Sequence, residues 1–284
     1  MRPRRKRLTK IGLALLALCL QTGLAPVPLS FAQQAAPQAG RGGRGQPQPV
    51  DPRVEQRTYL FGDTNEELPY AVFVSSRVSA DRENPLIIAL HGLGGSPVSL
   101  LRGNALDLAE EGGYILVGPM GYNPGGWYGS PVVGGGRGRG GANENPANLS
   151  ELSEKDVMNV LEMIREEFNV DRDRTYLMGH SMGGAGTLHL GVKYPSNWAS
   201  IAAIAPAAFA LDPDMLAEIP EMPVMIVQGD ADPLVPVENT RRWAGKLEEL
   251  DMTHEYLEIP EGDHGNVISI GMPDIFAFFG GHSR

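Results

Sequence analysis

Nine residues, Tyr176 to Gly184, constrain this chain more than any other stretch: an apolar run ends in Gly179-His180-Ser181-Met182-Gly183 and passes into a segment rich in glycine and alanine. A serine flanked this way suits a tight turn from strand to helix. There its own backbone is strained, and bulky side chains two residues to either side would collide. Gly184 and Gly186 let the following helix lie close to a sheet. Such a turn lifts the Ser181 hydroxyl above the sheet and aims the Met182 amide at a bound carbonyl. A five-residue pattern also arises in idle glycine-rich turns, so the remainder of the chain has to decide whether the serine works.

The surrounding pattern alternates strand and helix. Residues 58–61 and 70–74 read as opening strands, and the unbroken apolar run 86–90 suits a strand buried on both faces, as in a parallel sheet. A helix follows at 100–111 and a strand at 114–117. Ser153 with Asp156 three residues on predicts a capping-box start, with Val157, Val160, Leu161, Ile164 and Phe168 on one helical face. The strand before Ser181 and its helix run up to Tyr194, where Pro195 stops them. Then come a strand at 201–204, one at 224–227, a helix at 236–250, a strand at 256–259 and a last helix at 273–279, with Pro273 as its first residue. Repeated strand–helix–strand units mean a mostly parallel sheet covered on both faces, with ligands at the carboxyl ends of the strands.

The N-terminal stretch has a different character. Arg2, Arg4, Arg5, Lys6, Arg7 and Lys10 precede an apolar run from Ile11 to Leu20, and Ser30-Phe31-Ala32 offers small residues for cleavage after Ala32. This predicts a secretory signal over 1–32, the apolar part being too short for a spanning helix. Arg4-Arg5 raises a twin-arginine route, although Arg7 stands where an apolar residue is usual. The single cysteine, Cys19, lies in that leader, and Leu18 before it is too large for a good lipidation site. Residues 33–56, rich in Gln, Pro and Gly, read as a flexible linker, and 57–284 as one domain. Losing six of 24 basic residues in the leader leaves 18 against 34 acidic, a net charge of −16. That surface disfavours nucleic acid and anionic lipid as partners, and no later apolar segment is long enough to span a membrane.

Three further stretches fall where strands end. His91-Gly92-Leu93-Gly94-Gly95 follows the strand 86–90. A glycine-rich turn there leaves amides free to donate to an oxyanion, and that of Leu93 is the candidate partner of Met182. His91 itself reads as a buttress of the turn. Gln228-Gly229-Asp230-Ala231-Asp232 follows the strand 224–227, so either Asp230 or Asp232 can orient a histidine. His264 follows the last strand, within reach of the serine from a loop. The order serine, acid, histidine at three strand ends predicts nucleophilic catalysis by Ser181. Trp127 and Tyr128, with Leu234, are candidate pocket residues. Residues 129–145 that follow read either as a surface insertion or as a lid.

These motifs resemble the α/β-hydrolase esterases and the prolyl-oligopeptidase-like group, including secreted carboxylesterases and feruloyl-esterase-like enzymes. The likeness covers about 58–280 and rests on Leu90-His91-Gly92, Gly179 to Gly184, Gly229-x-x-Asp232-x-x-Val235-Pro236 and His264. By that pattern the acid is Asp232. Gln228 departs from it, since many relatives carry histidine there. The resemblance implies an α/β-hydrolase fold without a large cap domain, and a Ser181–His264–Asp232 serine hydrolase acting on small-molecule or polymer-derived carboxylic esters. A small serine peptidase and an acyltransferase are the alternatives on the same scaffold. No His-x-x-x-His helix, cysteine pair or phosphate loop is present, so no metal or cofactor is expected.

Overall fold

The computed structural model describes residues 49–132 and 145–284. The predicted leader, the linker up to residue 48 and residues 133–144 of the glycine-rich insertion lie outside the described residues. Eight strands form one sheet: β1 (Val54–Phe61), β2 (Glu66–Val74), β3 (Asn84–Leu90), β4 (Ile115–Pro119), β5 (Val170–His180), β6 (Ser200–Ile204), β7 (Val224–Gly229) and β8 (His254–Ile259). Their order is β1-β2-β4-β3-β5-β6-β7-β8. The β1–β2 and β2–β4 pairs are antiparallel and every other pair is parallel. This is the α/β-hydrolase arrangement that the motifs imply. β1 begins at Val54, paired with Phe73, so the sheet takes in the last three residues of the stretch read as linker, 33–56.

The apolar run of β3 is continuous because both of its faces are covered. Leu86, Ile88 and Leu90 join one core, which holds helices α2 (Leu149–Glu167), α3 (Met182–Lys193) and α4 (Val237–Glu249) through residues such as Val160, Leu188 and Trp243. Ile87 and Ala89 join the other, which holds α1 (Asn104–Gly112) and α5 (Asn266–Gly280) through Leu106 and Phe279. No helix among the described residues is long and apolar enough to cross a membrane.

Three expectations change, each for a local reason. Helix α1 starts at Asn104 rather than near Leu100, because Gly103 has φ 57° and breaks the helical path. Helix α5 starts at Asn266 and runs through Pro273. Pro273 has no N–H to give Ser269, and the Asn104 side-chain amide supplies a donor to that carbonyl at 2.7 Å instead. The capping box is absent too, since α2 begins at Leu149. Ser153 lies inside it and its hydroxyl accepts the Tyr128 amide at 2.9 Å. Asp156 is fully buried, and it accepts the Gly121 and Tyr122 amides at 2.7 and 2.9 Å and the Tyr59 hydroxyl at 2.6 Å. The pair therefore clamps the loop after β4 to the body of the domain.

Candidate active site

Ser181 sits between β5 and α3 with φ 57° and ψ −114°, the strained turn that its glycine neighbours foretell. Its amide donates to the Ile204 carbonyl at 2.9 Å, and its own carbonyl accepts from Ala185 and Ala207 at 3.0 Å each. A Cβ on Gly179 would stand 2.2 Å from the Gly183 carbonyl oxygen, and one on Gly183 would stand 2.1 Å from that of Leu90. Neither position has room for any other residue. Gly184 packs on Ile204 and Pro206, close to the sheet as expected, whereas Gly186 makes room for the Tyr128 ring. The Ser181 side chain makes no hydrogen bond within the protein among the described residues, so its hydroxyl is free in the cavity above the sheet.

A cavity of about 600 Å³ opens there, lined by Ser181, His264, the turn Gly92–Gly95, Trp127, Phe209 and Leu234, among others. Leu93, Phe209 and Leu234 are large apolar side chains left exposed. A separate hollow of about 460 Å³, with Trp198, Pro220 and Met222 in its wall, lies at the amino ends of β6 and β7, away from these residues.

His264 follows β8, and its Nδ1 lies 2.7 Å from Asp232 Oδ2. Asp232 follows β7, and its other oxygen accepts the amides of Leu234 and Val235 at 2.8 and 2.9 Å. Burial works against its ionisation, but the Val235 amide, the His264 ring and the Leu234 amide outweigh burial and hold the carboxyl below the usual carboxylate range. With that carboxylate at Nδ1, the proton of a neutral His264 resides on Nδ1 and the Nε2 lone pair is available. Asp230 is turned elsewhere: its Oδ1 accepts the Glu261 amide at 2.6 Å and ties the turns after β7 and β8 together. Gln228 is buried, with its amide donating toward the Val235 carbonyl at 3.0 Å and Asp232 Oδ2 at 3.3 Å, while its Oε1 accepts the Thr240 hydroxyl at 2.7 Å.

The glycine turn passes directly over the serine, since a Cβ on Gly92 would lie 3.4 Å from Ser181 Cβ. The Leu93 amide has no protein acceptor among the described residues, and the Met182 amide is at the first turn of α3, where helical partners are missing. His91 is buried beneath the turn with its two nitrogens against the carbonyls of Gly92 and Met120 at 2.8 and 2.9 Å, as a buttress should be.

Trp127 and Tyr128 part company. Both have positive φ, 60° and 54°, and this strained pair sends the two rings opposite ways. Trp127 lines the cavity. Tyr128 is fully buried against Gly186, and its hydroxyl donates to the His91 carbonyl at 3.1 Å. It is therefore not a wall of the pocket but a prop under the glycine turn. Alternation of residue types carries no trace of such a reversal, which depends on the Ser153 contact from a distant helix.

His180 also escaped the sequence reading. Its Nε2 lies 2.7 Å from the His264 carbonyl, and its ring tilts over that of His264 at a centroid distance of 4.6 Å. Burial, with the neighbouring His264, lowers its pKa to about 4. The unfolded chain, near 6.5, then binds more protons than the native state between pH 4 and 6.5, so native stability rises with pH across that window. Urea midpoints should fall as pH drops from 6.5 toward 4, this ring accounting for up to about 3 kcal/mol. His180→Asn should flatten the slope in part, because His91 and His189 are displaced in the same direction by burial. A slope unaltered in the variant would show that His180 does not carry it.

The profile of the family described as "Putative esterase" matches residues 63–270. The chain belongs to that esterase family. It is similar to "Putative esterase NocK" of Nocardia uniformis subsp. tsuyamanensis, 28% identical over 155 residues that make up 54% of this chain and 41% of that one. Feruloyl esterase B of Neurospora crassa is 30% identical over 132 residues, 44% of this chain and 41% of that protein. The matches thus span about two fifths of the length of these curated relatives. Among solved structures, a thermostable esterase superposes with a TM-score of 0.64 at 25% identity, covering 83% of this chain and 64% of that one. That superposition agrees with the α/β-hydrolase sheet described above for this esterase-family chain.

Proposed function

We propose that the protein hydrolyses carboxylic esters by acyl transfer through Ser181. The observation that carries this reading is the 2.7 Å contact of His264 Nδ1 with Asp232 beside a cavity that also holds the free Ser181 hydroxyl. Ser181 Oγ attacks the ester carbonyl carbon while His264 Nε2 takes its proton. The amides of Leu93 and Met182 donate to the oxyanion that forms. Collapse breaks the bond to the alcohol oxygen, which leaves with the proton from His264. Water then attacks the acyl-enzyme by the same route, and the acid is released with Ser181 restored. The leader read over residues 1–32 sends the enzyme across the membrane, with cleavage after Ala32, and makes it a secreted or periplasmic hydrolase.

Trp127, Phe209, Leu93 and Leu234 make the wall apolar, which suits short acyl or aryl groups; the likeness to a feruloyl esterase points the same way. A series of p-nitrophenyl esters of rising chain length, with a hydroxycinnamate ester and proline-containing peptide anilides run alongside, tests this. Short-chain and aryl esters should be cleaved far faster than the anilides. Preferential cleavage of the anilides would replace the esterase reading with the peptidase one.

A further inference from the structure

We propose that Arg102 recognises a carboxylate carried on the alcohol portion of the ester, and that the site continues past it into a second hollow. The inference rests on the ester-hydrolase reading above and adds a substrate class to it. A cavity of about 720 Å³ adjoins the one around Ser181, and both are lined by Ser99, Leu100, Arg102, Gly265 and Ile268. The two are one trough, with Arg102 where they meet. One wall is the segment leading into α1, and the other is the start of α5. The bond from the Asn104 side chain to the Ser269 carbonyl, at 2.7 Å, ties these walls together. The trough is therefore built into the fold before any ligand arrives.

Chemistry fixes which end of the substrate enters it. The leaving oxygen has to receive its proton from His264, so the alcohol departs on the His264 side. Gly265, which directly follows His264, and Ile268, in the first turn of α5, line both halves of the trough. The oxyanion donors stand on the glycine turn and at the start of α3 instead. An alcohol portion larger than a methyl or ethyl group is thus directed along the trough and past the guanidinium.

The charge pattern is equally directional. The whole chain carries a net charge of −10, yet Arg102 is the only lysine, arginine, aspartate or glutamate among the described residues lining the cavity around Ser181. Its side chain is exposed and makes no ion pair or hydrogen bond among the described residues, whereas Arg53, Arg57 and Arg241 each pair with carboxylates. Asp51, the one acid lining the second hollow, is engaged by Arg53 at 2.9 Å. A lone cation in a cleft free of carboxylates attracts anions, and a guanidinium presents paired N–H groups that match a carboxylate. Esters whose alcohol is a hydroxy acid or a uronic acid fit this description.

The test compares 4-acetoxybenzoate with its neutral methyl ester on the wild type, Arg102→Gln and Arg102→Lys. The ratio of kcat/KM, charged over neutral, should fall about 10- to 100-fold in Arg102→Gln, the range for losing a charge-assisted hydrogen bond, and should recover in part in Arg102→Lys. Taking the ratio cancels differences in folding or active fraction. Raising the ionic strength should lower the wild-type ratio as well. A ratio unchanged by Arg102→Gln overturns the proposal. So does a loss confined to a charged acyl group, read with 4-nitrophenyl hemisuccinate against 4-nitrophenyl butyrate. Fluorophosphonate labelling of the wild type reports on Ser181 independently: without it the ester-hydrolase reading fails and this one with it, and with it an unchanged ratio indicts Arg102 alone.

Discussion

Ser181→Ala is expected to lower ester turnover by about 10⁶-fold, the scale of loss when the nucleophile of a serine hydrolase is removed. Fluorophosphonate labelling should vanish with it. The fold should not suffer, because the Ser181 side chain makes no hydrogen bond within the protein among the described residues and its backbone amide keeps the Ile204 carbonyl at 2.9 Å. Alanine meets the same positive φ that serine already tolerates at 57°. Measuring kcat, labelling and the thermal midpoint of the same preparation separates chemistry from folding. Substantial turnover in a fully folded variant would remove Ser181 from the mechanism.

The second large effect distinguishes two acids only two residues apart. Asp232→Asn can still accept the Leu234 and Val235 amides through its remaining oxygen, so the turn should hold. Its NH₂ then faces His264 Nδ1 and Gln228 Nε2, which lie 2.7 and 3.3 Å from Oδ2 in the wild type. A donor opposite Nδ1 pushes the histidine proton onto Nε2, the nitrogen that has to act as a base. By the serine-protease precedent kcat falls about 10⁴-fold. Asp230→Asn keeps an oxygen for the Glu261 amide and should cost less than about tenfold, near 1.4 kcal/mol of barrier. Finding the larger loss at Asp230 would transfer the role to that residue.

Much of this site can be read from sequence, because its main parts sit at strand ends and strand ends are legible. β3 shows as an unbroken apolar run, and the glycines around Ser181 announce a turn so crowded that an added Cβ at Gly179 or Gly183 would collide with a backbone carbonyl. What stayed hidden depends on contacts between distant segments. Ser153 and Asp156 look like a helix start, yet they serve a loop some 30 residues earlier, with Gly121, Tyr122 and Tyr128 as their partners. Pro273 looks like a helix start because nothing nearby in sequence reveals that Asn104 will answer for its missing N–H. The burial of Tyr128 and the contact of His180 with His264 are invisible for the same reason. Arg102 carries no local motif at all; only the meeting of two cavity walls gives it meaning.

The sheet order has one more implication. Ser181 leaves β5, which is flanked by β3 and β6 and buried on both faces near the middle of the sheet. His264 leaves β8, which closes the row, pairs with β7 alone and keeps most of its residues only half-buried. In the proposed mechanism the two partners of one proton transfer thus come from an interior strand and an edge strand. Partial opening at the β8 margin, with the domain otherwise intact, carries the histidine away while the serine stays fixed in the core. Under that mechanism competence depends on an edge of the sheet as well as on its interior, so mild heat or denaturant is expected to silence the molecule while most of its structure persists.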